Sequence, residues 1–575
     1  MPERTNTHEE RDGRPEDGSG GGRDHRYYRD DLDRGDEVKL DRRDLLKTGV
    51  FAGAAVALPT ARFVGAATPS RMAESLLPKP FSVPFVRPPD AVPVRSSATC
   101  DYFKMEMRAV QAEILPGFQT LVFGYNGVVP GPVINVMQGK QAVVRHKNSL
   151  PAVHPTLGYE PWTSVHLHGS GSLPQFDGYA SDITRPGEYK DYHYPNYQQA
   201  RTLWYHDHGV HHTAENAYHG LVGMYIMRDA NEQALPIPKG EYDVPLIIGD
   251  AMFQSDGNLL FSLANQSGHW GDVILVNGRP WPVMKVKRRK YRFRILTAAI
   301  SRSFKFALSN GGSYQIIGTD GGLVPKPITV TSHRQLSGER YEVVIDFAQV
   351  FKGAKAGSRV TLNNLSNPNN INYTNTGKVM AFEVVDDSFS TVNNSVPAKL
   401  AADTSVMDQV PPTAKAPDGT IKADRYFRLE RTGGEWTVNG TTWKKIEDSN
   451  FQYVEASPLR NSTEVWEIEN KSGGWYHPLH IHLVDFKVIE RNGKPGCLPH
   501  EQGPKDVVYM GENERVKVMM KFDGLGKYMV HCHNLVHEDH DMMTQFEVLD
   551  PNQPGDDPMT AAIARSSAFE AFDVL

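Results

Sequence analysis

Residues His531 to Met543 read HCHNLVHEDHDMM. The segment sets one of only three cysteines in the chain between two histidines, then adds two more histidines and two methionines. Read as a β-strand, it makes a geometric statement. Side chains alternate between faces with period two, so His531 and His533 project one way and Cys532 the other. One piece of backbone then serves two sites on opposite sides of a sheet.

The Cys532 side has a recognisable chemistry. His537 follows five residues on and Met542 five further, a C-x4-H-x4-M spacing. A thiolate, two imidazoles and a weak axial thioether make a blue-copper electron-transfer site. The second imidazole is expected to be His477. It stands an odd three residues before His480, so a strand turns it away from His480 and His482 and toward the Cys532 side. Pro478 makes that strand geometry approximate.

The His531/His533 side belongs to a larger set. His-x-His pairs stand at 166/168, 206/208, 480/482 and 531/533. Random placement at this histidine content gives roughly one such pair, so a single pair carries little weight. Eight converging imidazoles exceed what one four-coordinate zinc can use and suit a cluster of ions. Imidazole ligates copper, zinc and iron, so the number alone does not identify the metal.

From about residue 100 the whole chain reads as strands and turns. β-branched and aromatic runs recur between Gly, Pro, Asn and Asp, and long amphipathic helical patterns are scarce. A weak repeat begins at Tyr125 (YNGVVPGPVINV), Val276 (VNGRPWPVMKV) and Val438 (VNGTTWKKIED). Three β-sandwich domains in series account for it, over 100–232, 240–388 and 425–550. The stretch 389–424, rich in Pro, Ala, Asp and Thr, reads as a linker, and 551–575 as a tail. The His-x-His pairs fall in the first and third domains. A site between those two is expected, with the middle domain as spacer or wall.

Composition excludes several classes. The 575 residues exceed a single hydrophobic core, and the net charge of −6 offers no basic field for nucleic acid or an anionic membrane. Residues 1–40 are charged, Gly-rich and poor in aliphatics, a composition that does not fold alone. Residues 41–66 place Arg42 and Arg43 before an apolar run from Gly49 to Leu58, too short to span a bilayer. This resembles a twin-arginine export signal, with Asp41 where Ser or Thr is usual; a short buried helix is the alternative. No other segment is long and apolar enough for a membrane span, so a soluble, exported mature protein is expected.

In this order, HLHG (His166, His168), WYHDH (His206, His208), HPLHIH (His477, His480, His482) and HCHNLVHEDHDMM resemble the four copper signatures of three-domain multicopper oxidases. The similarity spans about residues 100–550. NAYHGLVGMYI, KYRFRIL and HLVDFKVI further resemble bilirubin oxidases, with spore-coat laccases next. The resemblance implies an all-β fold of three consecutive cupredoxin-like Greek-key β-sandwich domains and four copper ions. It assigns His477, Cys532, His537 and Met542 to type 1 copper, and His166 and His480 to type 2. It gives the type 3 pair His168, His206, His208, His482, His531 and His533. A phenolic, aromatic amine or tetrapyrrole donor would give single electrons at the type 1 site. They would cross Cys532 to His531 and His533, and O2 would be reduced to water at the trinuclear cluster. Asp177 and Glu538 match the family's proton-relay carboxylates; a turn-forming Asp-Gly and a surface charge are their plainer readings.

Other residues carry less. His211, His212, His219, His500 and His540 read as loop or supporting groups. Trp475 fits either the substrate edge of the type 1 site or core packing. Cys100 and Cys497 form a bridge or remain two buried thiols. Alternative readings are a cuprous-ion oxidase, against which the 18 methionines are dispersed, and a spore-coat or pigment-layer protein with laccase activity. A small-molecule donor and O2 are the expected partners of a monomer.

Overall fold

The computed structural model describes residues 70–262, 264–401, 414–553, 555 and 558. The charged stretch 1–40, the twin-arginine segment 41–66, part of the 389–424 linker and most of the tail lie outside the described residues.

The Asn-Gly repeat is a turn. Asn126-Gly127, Asn277-Gly278 and Asn439-Gly440 have positive φ at both residues, 53° and 74°, 50° and 74°, 53° and 71°. Two-residue loops of this hand match the right-handed twist of the strands they join. Asn is used because its amide also stands in for a missing strand. Its Oδ1 accepts the backbone N–H of Glu106, Ile247 and Arg428 at 2.8, 2.8 and 2.6 Å respectively. Its Nδ2 donates to the carbonyl two residues earlier, on Lys104, Pro245 and Tyr426, at 3.2, 3.0 and 3.1 Å.

Around each turn two sheets enclose an apolar layer. In the first sandwich, a five-stranded sheet containing Cys100–Ala112 and Gln141–Asn148 faces a four-stranded one ordered Gly131–Met137, Val222–Arg228, Arg201–Asp207, Val165–His168. Phe103, Met105, Leu167, Leu203 and Tyr225 fill the space between. The middle sandwich has seven- and five-stranded sheets closed on Phe293, Val343, Phe306 and Phe382. The third has a six-stranded sheet and a four-stranded one ordered Val507–Met510, His477–Ile481, Gly526–Cys532, Met543–Val548, with Trp466, Leu479, Val518 and Phe546 inside. Each such aliphatic or aromatic side chain contributes roughly 1.5–3 kcal/mol on burial.

Residues 70–99, to which the sequence assigns no role, run along the middle sandwich and then the first, where Arg95–Ser96 pairs with Cys100–Ala112 and Ala91 N–H donates to Val133 O at 2.7 Å. Met72 N–H donates to Phe253 O at 2.7 Å, Phe81 N–H to Trp281 O at 2.9 Å and Phe85 N–H to Val283 O at 2.9 Å.

Six elements frame the site. In the first sandwich they are β1 (Val165–His168), β2 (Arg201–Asp207) and helix α1 (Thr213–Tyr218). In the third they are β3 (His477–Ile481), β4 (Gly526–Cys532) and helix α2 (Leu535–Asp539). β1 and β2 are antiparallel with His166 opposite His206; β3 and β4 are antiparallel with His480 opposite His531 and Leu479 opposite Cys532. The two domains are pinned beside the site by Asp539, which accepts the N–H groups of Thr213 and Ala214 at 3.1 and 2.7 Å. A carboxylate at a helix N-terminus satisfies donors that the helix itself leaves open.

Candidate metal centre

The period-two reading of the opening segment fits the structure. His531 and Cys532 face opposite sides of β4, and the odd step from His480 brings His477 to the Cys532 side.

On the His531 side, eight buried imidazoles from β1, β2, β3 and β4 and the residues just after them converge. His168, His206 and His533 form one group whose ligand atoms lie within 4.8 Å of one another. His168 Nδ1, His206 Nε2 and His533 Nε2 are buried with no hydrogen-bond partner. Their other ring nitrogens are held by Asp506 Oδ1 at 3.0 Å, the Asp207 carbonyl at 2.8 Å and Ser337 Oγ at 3.1 Å. Three orphaned buried nitrogens in one place are costly unless something binds them.

His208, His482 and His531 form a second group, with His531 Nε2 lying 3.2 Å from His208 Nε2 and 3.1 Å from His482 Nε2. Their outer nitrogens meet carboxylates. His482 Nδ1 is 2.7 Å from Asp177 Oδ2, His531 Nδ1 is 2.9 Å from Glu538 Oε2, and His208 Nδ1 is 3.5 Å from Glu538 Oε1.

His166 and His480 approach with their Nε2 atoms 3.4 Å apart. His166 Nδ1 donates to the Asp177 carbonyl and His480 Nδ1 to the Asp506 carbonyl, the latter at 2.8 Å. Those bonds fix the ring protons on Nδ1, so two Nε2 lone pairs face each other. Lone pairs repel at that distance, and a cation between them turns repulsion into ligation.

The Cys532 side is a separate, tighter group. Cys532 Sγ is 3.3 Å from His477 Nδ1 and 3.6 Å from His537 Nδ1, and those two nitrogens are 3.2 Å apart. His477 Nε2 is held by Ser472 Oγ at 2.7 Å and His537 Nε2 by the Ser267 carbonyl at 3.1 Å. Met542 is fully buried in the same apolar cluster as Cys532, and its backbone bonds both Cys532 and His537. Met543 belongs to a different cluster, with Tyr179 and Trp443.

Burial sets the protonation states. It brings His206 and His477 down to about 3 and His208 to about 4, so the rings are neutral, as ligands must be. It pushes the Cys532 thiol up, so only a cation at Sγ makes the thiolate stable there. Burial also pushes the Asp177 carboxyl well above the ordinary range. Burial alone would raise Glu538, but the adjacent His531 and His208 outweigh it and bring that carboxyl to about 2.

The donor set therefore fits copper: one thiolate, ten imidazoles and a thioether sulfur, all buried. His219 and His540 bond nearby carbonyls, His212 stacks on Tyr159, and His500 lies by Tyr341; neither these nor His211 join a ligand group among the described residues. Cys100 and Cys497 are free. Trp475 is half-buried, edge-on to His537 at 6.3 Å and stacked on Trp270 at 6.4 Å. Sequence reasoning missed Ser472, Ser337 and Asp506, which hold outer ring nitrogens. It also missed Trp436, whose indole stacks on His537 at 4.0 Å. Trp436 lies two residues before the third Asn-Gly repeat, and its proximity to the site has no signal in spacing.

Three models of the multicopper oxidase family match the chain, over residues 106–232, 243–376 and 416–552. The chain belongs to the multicopper oxidase family, enzymes that oxidise small donors with O2. It is 42% identical to the bilirubin oxidase of Albifimbria verrucaria over 77% of this chain and 76% of that protein. It is 33% identical to a laccase of Bacillus subtilis (strain 168), over 81% of this chain and 98% of that one. Among solved structures, a laccase from Pediococcus acidilactici superposes with a TM-score of 0.69 at 27% identity, covering 82% of this chain and 95% of that one.

Proposed function

We propose that this chain is an exported, monomeric oxidase that couples oxidation of phenolic, aromatic amine or tetrapyrrole donors to reduction of O2 to water. Copper bound to these ligands would supply one-electron uptake at the Cys532 site and four-electron O2 reduction at the histidine cluster. His477, Cys532, His537 and Met542 would hold the first ion. His166 and His480 would hold the second. The orphaned triad His168, His206 and His533, and the triad His208, His482 and His531, would hold one each of the remaining two.

The observation that carries this reading is covalent adjacency. Cys532 lies in one ligand group while its neighbours His531 and His533 lie in two groups of the histidine cluster, so a single residue's backbone links the Cys532 site to both. The protein's other task is proton supply. Asp177 Oδ2 and Glu538 Oε2 touch the outer nitrogens of His482 and His531, within a wall of buried rings. Asp177, kept protonated by burial, would donate the proton, and Glu538, held ionised, would accept and pass one on; a positioned acid or base typically gives on the order of a hundredfold or more.

Organic donors are favoured over cuprous ion because soft thioether sulfur is almost all interior. Among the described residues, Met137 is the only methionine in the set of exposed large hydrophobics. Steady-state oxygen uptake with bilirubin, a methoxyphenol, an o-aminophenol and Cu(I) on copper-loaded protein tests the reading. Turnover of Cu(I) alone would overturn the organic-donor assignment. Metal analysis finding a single zinc and no thiolate-to-copper absorption would overturn the whole.

A further inference from the structure

The middle sandwich contributes no histidine to the ligand groups, yet besides Ser337, which holds His533 Nδ1, its Arg340 reaches the cluster's edge. Arg340 is fully buried on strand Arg340–Asp346 of that domain. A guanidinium has five N–H donors in a fixed fork, and here each has an acceptor. Nε donates to the Thr202 carbonyl of β2 at 2.9 Å. Nη1 donates to the Gly338 carbonyl at 3.0 Å and Asp506 Oδ1 at 2.6 Å. Nη2 donates to the Asp320 carbonyl at 3.1 Å and Asp506 Oδ2 at 2.5 Å. The acceptors come from all three sandwiches.

Asp506 is the branch point. Its Oδ1 also meets His168 Nε2 at 3.0 Å, and its carbonyl accepts His480 Nδ1 at 2.8 Å. The first contact leaves His168 Nδ1 as the orphaned ligand atom, and the second turns the His480 Nε2 lone pair toward His166. Space for the pair is carved at Gly169, just after HLH. A Cβ there would lie 2.5 Å from Arg340 Nη2 and 2.7 Å from Asp506 Oδ2, and its φ of +89° already disfavours any other residue.

We propose that Arg340 is a positioning residue for the trinuclear centre: by gripping Asp506 with both arms, it fixes the tautomers and angles of His168 and His480. The middle sandwich is then a working wall of the metal site. This rests on the ligand assignment proposed above. Supporting groups that orient metal-bound imidazoles typically matter by about 10–100-fold in affinity. The geometry, not the charge, is the operative feature, because lysine offers a point charge without the fork.

The test compares wild type with Arg340→Lys, both copper-loaded, by metal content, the thiolate-to-copper band, the type 2 EPR signal and thermal melting. Wild type lacking the type 2 signal would overturn the ligand assignment itself, independently of Arg340. With wild type intact, Arg340→Lys is expected to keep its blue band and the copper beneath it. It should surrender the cluster coppers to a chelator about 10–100-fold more readily. Retention of cluster copper as tight as wild type overturns the proposal. So does parallel loss of both sites with the melt, which marks a merely structural role. If Arg340→Lys does not fold, Asp506→Asn, which preserves shape and weakens the fork, decides on the same split.

Discussion

Cys532 and His531 share a peptide bond and face different sites. Sγ of one lies 3.3 Å from His477 Nδ1, while Nε2 of the other lies 3.2 Å from His208 Nε2. Strand pleating makes this arrangement: adjacent residues leave a strand on opposite faces, so a link between two buried sites costs no extra side chain.

Replacing Cys532 with serine separates the two halves. A neutral hydroxyl substitutes for the thiolate, so the blue absorption and the oxidation of every organic donor should vanish. All eight histidines facing the other way remain, and their copper should still load. Absorption, EPR and metal analysis on Cys532→Ser check this; loss of all copper would show that the two sites are not independent.

The two adjacent methionines should behave differently. Met542 shares an apolar cluster with Cys532, whereas Met543 packs on Tyr179 and Trp443. If Met542 supplies the thioether ligand proposed above, Met542→Leu should raise the potential of the blue site. Met543→Leu should leave it unchanged and cost less than about 1.5 kcal/mol in stability, as volume-conserving swaps do. Redox titration of both variants decides; a shift only in Met543→Leu would reverse the assignment.

Asp177→Asn should spare donor oxidation and slow O2 consumption. An amide keeps the shape beside His482 Nδ1 but delivers no proton, and the expected loss is about a hundredfold in reoxidation. Stopped-flow reduction without oxygen, followed by mixing with O2, resolves the steps. Slower bleaching by donor with normal reoxidation would place Asp177 on the donor side.

The turn asparagines give a stability prediction. Asn277 is buried, holds Ile247 N–H and Pro245 O, and sits at φ +50°. Asn277→Ala leaves those groups unpaired and strains the backbone, for about 2–4 kcal/mol in total. The exposed equivalent, Asn126→Ala, should cost less. Denaturant midpoints of the two variants check the order.

Much of this was legible in the sequence because it was local. The opposition of Cys532 to His531 and the placement of His477 needed only period two. The Asn-Gly signal needed only a known turn. Arg340 and Asp506 left no such trace, being separated by 166 residues from each other, with Asp506 separated by 338 from His168. Their roles arise where domains meet, and no periodicity encodes a meeting. The segment 70–99 was silent for a similar reason: it bonds the middle and then the first sandwich largely through its backbone, which carries no residue-specific pattern.

The wide spacing of the histidines also sets a timetable. His166 and His480, which face each other at 3.4 Å, are 314 residues apart. At a ribosomal pace of about 5–20 residues per second, His480 is made roughly 15–60 s after His166. Until then the first sandwich presents four histidines with nothing opposite them, a half-built nest that a stray divalent ion could occupy. The cluster site therefore cannot close until the third sandwich has been made and has packed against the first.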